Sequence, residues 1–455
     1  MIASDERGKK SVRQLASEIL FKVDTRKAYA DILLDQALRT TALDERDRAL
    51  LTELTYGTLR WRGAIDARLS RHLRRPLAEI DAPIRSLLRL TCYQLIYLDR
   101  IPPYAAVNEA VELAKDFGGR KAAGFANGVL RSFLRAPHTD NRAQTEAALP
   151  SIAAQYSHPE WLVQRWLDAL GPDGAPALMR ANNEKAPLAL RANSLKVSRN
   201  ELLDRLQRAP IDAMAAAYAP QGIFLPAGGV IESLPGFAEG LFQVQGEASQ
   251  LVSSLLSPLP DERILDACAA PGGKSTHLAE LMHDEGEIIA VDIAERGIER
   301  IEQNVRRLGL RSVRSVRADV SEPSAKLGDA RYDRILVDAP CSGLGTLRAH
   351  PEIKWNRDEH DVRRLSRLQL KILNQVSAYL KPDGILVYST CTLTVEENER
   401  NVESFLAEHP EFELQDAASY LPQQAKHMVH GRYFQTLPHR DNTDGFFAAR
   451  MRKVI

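Results

Sequence analysis

The last 210 residues of this chain alternate short apolar runs with amphipathic helical stretches, and that alternation constrains the fold more than any other feature. Strand–helix–strand repetition demands a parallel sheet covered by helices, because parallel neighbours need a crossover long enough to hold a helix. Strand candidates are Arg263–Ala267, Glu287–Val291, Val313–Arg317, Arg334–Val337 and Gly384–Tyr388. Between the second and third, Ile298, Ile301, Val305 and Leu308 mark one face of a helix that Gly309 caps. Between the fourth and fifth, Val362, Leu365, Leu368, Ile372 and Val376 mark another, and Lys381-Pro-Asp-Gly384 is the turn expected to stop it.

Open sheets of this kind bind ligands beyond the carboxyl ends of their strands. The first strand runs into Asp266-Ala-Cys268-Ala269-Ala270-Pro271-Gly272-Gly273-Lys274, where paired glycines let a ligand approach the backbone. A P-loop would need glycine at position 268, where cysteine stands, and no G-x-G-x-x-G is present. Asp292 ends the second strand, 20 residues past Gly272, a spacing suited to accepting hydrogen bonds from ribose hydroxyls. Asp319 follows the third strand and suits an adenine edge. The fourth ends Asp338-Ala-Pro340-Cys341-Ser-Gly343, and the fifth ends Ser389-Thr-Cys391. Each acid alone reads as a turn or cap; as a series they imply an adenosine-bearing cofactor.

A lone cysteine is most often a small buried hydrophobe. Two at the ligand edge, Cys341 and Cys391, imply more. Carbon 5 of cytosine is a poor nucleophile, and a thiolate that adds to carbon 6 turns the ring into an enamine able to take a methyl group. Asp338 suits the ring edge, where a proton or hydrogen bond at N3 stabilises the adduct. Transfer to oxygen or to an exocyclic nitrogen needs no cysteine. Either cysteine could attack, since both follow strands.

The front of the chain differs. Residues 11–135 carry apolar residues at helical spacing throughout, as in Leu15, Ile19 and Leu20, and Gly118-Gly119 ends one helix. The net charge is zero, yet residues 1–150 hold 25 Lys and Arg against 19 Asp and Glu, which hints at a polyanion partner. Arg60, Arg62, Arg68, Arg71, Arg74 and Arg75 cluster beside Tyr56 and Trp61, either as a charged helix face or as a phosphate-binding patch. Residues 136–150 read as a linker. Beyond them come a helix from His158, strands at Leu188–Ala192, Ile223–Leu225 and Leu241–Val244, and a capping box at Ser198…Glu201, together a small α+β module. No apolar run could span a bilayer, and the four cysteines fit neither a zinc pattern nor a disulfide scaffold, so a cytoplasmic protein without metal is expected.

These residues resemble the RNA cytosine-C5 methyltransferases. Asp266 to Thr276, Asp338 to Gly343 and Ser389 to Cys391 are similar to that family's motifs, as are Gly345 to Trp355, Val395-Glu-Glu-Asn398-Glu and Asp444-Gly-Phe-Phe447. Tyr56-Gly-Thr-Leu-Arg60, Tyr93-Gln-Leu, Ile101 to Lys115 and Asn127-Gly-Val-Leu-Arg131 resemble the all-α RNA-binding fold of the antitermination factor NusB. The combination is similar to bacterial methyltransferases of 16S rRNA. It implies an all-α NusB-like domain at 1–140, an RRM-like α+β module at 150–240 and a seven-stranded Rossmann-like methyltransferase domain with one antiparallel strand at 241–455. The resemblance implies S-adenosylmethionine held by 268–274, Asp292, Asp319 and Asp338, attack by Cys391, product release assisted by Cys341, and rRNA contacts at Arg60, Arg62, Arg71 and Lys354. A monomer acting on 16S rRNA is expected. Two other readings compete: an RNA-binding factor without catalysis, which the retained cysteines and Asp338 disfavour, and a NAD-dependent oxidoreductase, which the missing glycine fingerprint disfavours.

Overall fold

The computed structural model describes residues 10–136, 148–209, 211–226, 230–329 and 331–454. Most of the expected linker, 137–147, lies outside the described residues. The chain forms two compact units: Met1–Glu184 with Leu347–Asp358, and Lys185–Thr346 with Glu359–Ile455. No described helix is long and apolar enough to cross a membrane.

The first unit is helical: α1 Val12–Arg26, α2 Ala30–Thr40, α3 Glu45–Arg60, α4 Arg62–Ser70, α5 Ala82–Tyr97, α6 Pro103–Arg135, α7 Leu149–Tyr156 and α8 Glu160–Asn182. Ser11 caps α1 by accepting from the Gln14 amide, and Asp44 caps α3 in the same way. The predicted break at Gly118-Gly119 is present: both glycines leave helical geometry, and α6 resumes beyond them to Arg135. One apolar core joins Leu15, Ile19, Leu54, Ile65, Leu88 and Leu130. The unit extends past residue 140 and takes in Leu347–Asp358 from far along the chain. That segment is anchored by polar contacts. Lys354 Nζ donates to the carbonyls of Arg60 and Ser157 and to Asn183 Oδ1, at 2.9, 3.0 and 2.8 Å. Trp355 Nε1 donates to Leu59 O.

The second unit holds two sheets. The smaller comprises β1 Leu188–Ala192, β2 Met214–Ala215, β3 Gly222–Leu225 and β4 Phe242–Val244, in the order β2-β3-β1-β4 and antiparallel throughout. Helix α9, Arg199–Arg208, opens on the predicted Ser198–Glu201 capping box and buries Leu202 and Leu206 against Leu190, Ile223 and Phe242. Helix α10, Glu247–Leu256, then leads to the larger sheet.

That sheet is built from β5 Arg263–Asp266, β6 Glu287–Asp292, β7 Val313–Arg317, β8 Tyr332–Asp338, β9 Leu380–Thr390, β10 Phe412–Gln415, β11 Val429–His430, β12 Tyr433–Thr436 and β13 Phe446–Lys453. Its order is β11-β12-β13-β9-β8-β5-β6-β7. Strands β5 to β9 are parallel, and β13 is antiparallel to β9. Among the described residues the sheet has nine strands rather than seven. The outer edge of β13 is covered in two pieces, Phe446–Ala448 by β12 and Arg450–Lys453 by β10, which closes an edge otherwise free to pair with another chain. The expected turn at Lys381–Gly384 lies inside β9 and loops out of the ladder, since Tyr332 faces Leu380 while Arg334 faces Ile385. Apolar clusters flank the sheet, one around Ile264, Leu278 and Leu336, the other around Leu265, Ile335 and Leu386.

Arg191, on β1, joins the two sheets. It is fully buried and donates to both oxygens of the equally buried Glu280, on helix α11 (Gly273–Leu281). It also reaches Thr276 Oγ1, Gly273 O and Gln245. Losing one partner of such a pair strands a charge in the interior. Arg191→Ala is expected to lower unfolding free energy by about 3–5 kcal/mol, read from the urea midpoint, whereas Arg191→Met with Glu280→Leu costs less. A loss under about 1 kcal/mol for Arg191→Ala, the net worth of an ordinary hydrogen bond, would show the pair to be dispensable.

Candidate functional site

The carboxyl ends of β5, β6, β8 and β9 lie on one edge of the sheet, and the predicted residues gather there. β5 ends at Asp266, fully buried, whose carboxylate accepts from Ser275 Oγ at 2.6 Å. Burial pushes its pKa up to about 7, opposed by that hydroxyl. The loop then turns at Gly272, where φ is +95° and a Cβ would press on the Ile301 backbone at 3.2 Å. Only glycine takes this conformation without strain. At Gly273 a Cβ would meet nothing nearer than Gln245 at 3.9 Å, so the start of α11 stays open to a ligand.

Asp292 steadies this loop from the end of β6. Its Oδ2 accepts from the Ala270 amide at 3.2 Å and its Oδ1 from the Ala294 amide at 2.9 Å. Asp319 accepts from the amide and hydroxyl of Ser321, contacts that hold its pKa below the ordinary value. The thiol of Cys268 is pushed well up, first by burial and then by Asp266, Asp338, Asp292 and Asp319. These four acids all act on the one thiol at the loop. A loop of small residues, open at Gly273 and held by the Asp292 carboxylate, fits a nucleoside carrying a positive sulfonium.

The chemistry-bearing end lies beside it. Lys274 Nζ meets Asp338 Oδ2 at 2.5 Å and sits 5.2 Å from the centroid of the Phe446 ring. Ser389 Oγ donates to Asp338 Oδ1 at 2.8 Å. Asp338 and Ser389 are ladder partners on β8 and β9. Beyond them Cys341 Sγ and Cys391 Sγ stand 3.2 Å apart as free thiols, too far for a disulfide and close enough for a hydrogen bond. The contact with Cys391, with burial added, pushes the Cys341 thiol well up.

Around the thiols lies a group the sequence reading had not given roles. Glu397, Ser342, Thr392 and Gln369 are fully buried there. Glu397 falls within the Val395–Glu399 motif, but pattern alone does not say where its carboxylate points.

The expected RNA contacts are placed otherwise. Lys354 is wholly buried, its three donors engaged, and burial holds its pKa well down. Arg60 is buried and donates to Arg348 O. Arg62 pairs with Asp24 and lies over the Trp355 ring. Lys354 and Arg60 are thus interior tethers rather than phosphate ligands, because both are out of solvent and bonded to protein carbonyls. Arg71 is exposed, as are Arg74 and Arg75.

Comparison with known proteins agrees with this architecture. Residues 253–452 match the family described as 16S rRNA methyltransferase RsmB/F, residues 10–135 the NusB family, and residues 158–232 the ferredoxin-like domain of RsmF/B-like methyltransferases. A probable ribosomal RNA small subunit methyltransferase B from Bacillus subtilis is 39% identical over 98% of this chain and 99% of its own. A ribosomal RNA small subunit methyltransferase B from Klebsiella pneumoniae is 38% identical over 90% of this chain and 91% of its own. Among solved structures, PH0851 superposes with a TM-score of 0.85 at 26% identity, covering 98% of this chain and 99% of that one. NSun6 from Pyrococcus horikoshii with SFG superposes at 0.58 and 25% identity, covering 65% of this chain and 98% of that one. A NusB-like front, a ferredoxin-like middle and the cysteine-bearing methyltransferase sheet occur here in one chain, which belongs to the RsmB/F family of 16S rRNA methyltransferases.

Proposed function

We propose that this chain methylates carbon 5 of a cytosine in 16S rRNA, with Cys391 as the nucleophile that adds to carbon 6. The methyl donor is S-adenosylmethionine, which supplies an electrophilic methyl on a sulfonium. The observation that carries the reading is the 3.2 Å thiol pair beside Asp338. Either sulfur can be the donor of the pair; the resemblance of Ser389-Thr-Cys391 to the motif of the RNA enzymes favours Cys391 as attacker.

Attack would form a bond from Cys391 Sγ to carbon 6 and send an electron pair towards carbon 5, which would take the methyl group as its bond to the sulfonium sulfur breaks and that electron pair stays with S-adenosylhomocysteine. Asp338, held by Lys274 and Ser389, would lend N3 of the ring a proton or hydrogen bond that offsets the negative charge building there, and take it back on elimination. For release, Cys341 gives its proton to the departing Cys391 sulfur and takes up the carbon-5 proton. The bond from carbon 6 to sulfur breaks, the ring regains its double bond, and Cys341 ends as it began. The target base must leave its stack before a thiolate can reach it.

Each thiol has a different expected loss. Cys391→Ala abolishes turnover and forms no covalent RNA complex. Cys341→Ala still attacks and methylates, then stalls as a protein–RNA adduct visible on a denaturing gel with labelled RNA. A shifted band from Cys391→Ala and none from Cys341→Ala would reverse the assignment.

We also propose that the first unit holds rRNA through phosphates, using the exposed Arg71, Arg74 and Arg75, the last packed over Phe125. Replacing all three with Ala weakens RNA binding and flattens its dependence on salt, with cofactor affinity unchanged by calorimetry. Wild-type RNA affinity at every salt concentration would leave these residues as solvated surface.

A further inference from the structure

We propose that Glu397 is a positioning residue for Cys341, setting the thiol that releases the product while leaving the attacking thiol to other supports. The inference rests on the roles just given to the two cysteines.

Glu397 is fully buried and its carboxylate is saturated. Oε1 accepts from the Ser342 amide at 2.8 Å and from Gln369 Nε2 at 2.9 Å. Oε2 accepts from Ser342 Oγ at 2.5 Å and Thr394 Oγ1 at 2.7 Å. Four donors fill the four lone-pair positions of an ionised carboxylate. Charge-assisted bonds in a dry interior are strong and directional.

These bonds converge on the residues flanking Cys341. Ser342 follows it and is gripped through both amide and hydroxyl. Pro340 precedes it, and its carbonyl accepts from the same Gln369 side chain at 3.0 Å. The turn carrying Cys341 is therefore tied on both sides to one carboxylate. Cys391 has its own supports. Its carbonyl accepts from the Gly345 amide at 2.9 Å. Thr390, just before it, is paired with Phe447 in the β9–β13 ladder and donates to Asn398 Oδ1. The cross-link from Ser342 Oγ to Thr392 Oγ1, at 2.7 Å, is the thread by which Glu397 also registers the two turns on each other.

Removing the carboxylate thus frees Cys341 more than Cys391. Glu397→Ala is expected to attack and methylate, then release slowly. Glu397→Gln is the conservative test. Its amide oxygen can still face the two N–H donors, and its NH2 can donate to the Ser342 and Thr394 hydroxyls, which also accept.

The experiment uses the full chain with unmodified labelled 16S rRNA transcript and S-adenosylmethionine, with Cys341→Ala as reference. Multiple-turnover rate falls roughly 10- to 100-fold in Glu397→Ala, the penalty for a group displaced by about 1 Å. The denaturing gel shows the covalent band of Cys341→Ala, single-turnover methyl transfer stays near wild type, and Glu397→Gln recovers much of the turnover. Affinity for S-adenosylhomocysteine by calorimetry stays at the wild-type value. A role confined to stability lowers every rate together and builds no adduct. If Glu397→Ala does not fold, Glu397→Gln carries the test through a partial band. A covalent band in Cys341→Ala and none in either Glu397 variant overturns the inference. No band in Cys341→Ala itself overturns the reading beneath it.

Discussion

The parallel pairing of β8 with β9 is the constraint on which the site depends. Parallel strands run their carboxyl ends to the same edge, and this ladder sets Asp338 opposite Ser389. From that register each chain needs only a few more residues to reach a thiol, Cys341 on one side and Cys391 on the other. A slip of one residue would send Asp338 to the opposite face of the sheet. Apolar residues on both faces, among them Ile335, Leu336, Leu386 and Val387, hold the register. The buried interior of a fully covered sheet thus sets a polar distance at its rim.

The loop from Ala267 to Gly273 is steadied from two directions. Asp292 ties down the backbone of Ala270, and Arg191 grips Gly273, Thr276 and Glu280 from the small sheet. The ferredoxin-like module therefore contributes a buried cation to the start of α11, the helix that follows the glycine loop. A loop with two glycines would otherwise be free to sample many shapes. Fixing it before the ligand arrives reduces the ordering that binding must impose.

In the first unit, charge serves two ends. Asp24 and Asp66 collect Arg62, Arg85 and Arg89 into an ion-pair network. Lys354 and Arg60 tether the Leu347–Asp358 segment through carbonyl oxygens. Of the arginines between 60 and 75, Arg71, Arg74 and Arg75 are the exposed ones, the last over Phe125 of α6. Counting basic residues along a sequence cannot separate these groups, because burial depends on contacts with residues hundreds of positions away.

Much was legible in the sequence alone. Periodicity marked the alternating strands and helices, the Ser198–Glu201 box and the glycine break in α6, because each rests on local sterics and hydrogen bonding within a few residues. Motif order pointed to the cofactor loop, the strand-end acids and the two cysteines, because an open α/β sheet gathers its strand ends. Three features waited for the tertiary structure. The thiol separation depends on two loops 50 residues apart meeting across β8 and β9. The roles of Glu397 and Arg191 depend on buried partners supplied by other elements, and an isolated Glu or Arg carries no mark of them. The burial of Lys354 and Arg60 follows from the Leu347–Asp358 segment folding into the first unit. Local pattern determines which elements form and which edge they present; long-range packing decides which polar groups leave water, and so which of them hold the structure and which face the substrate.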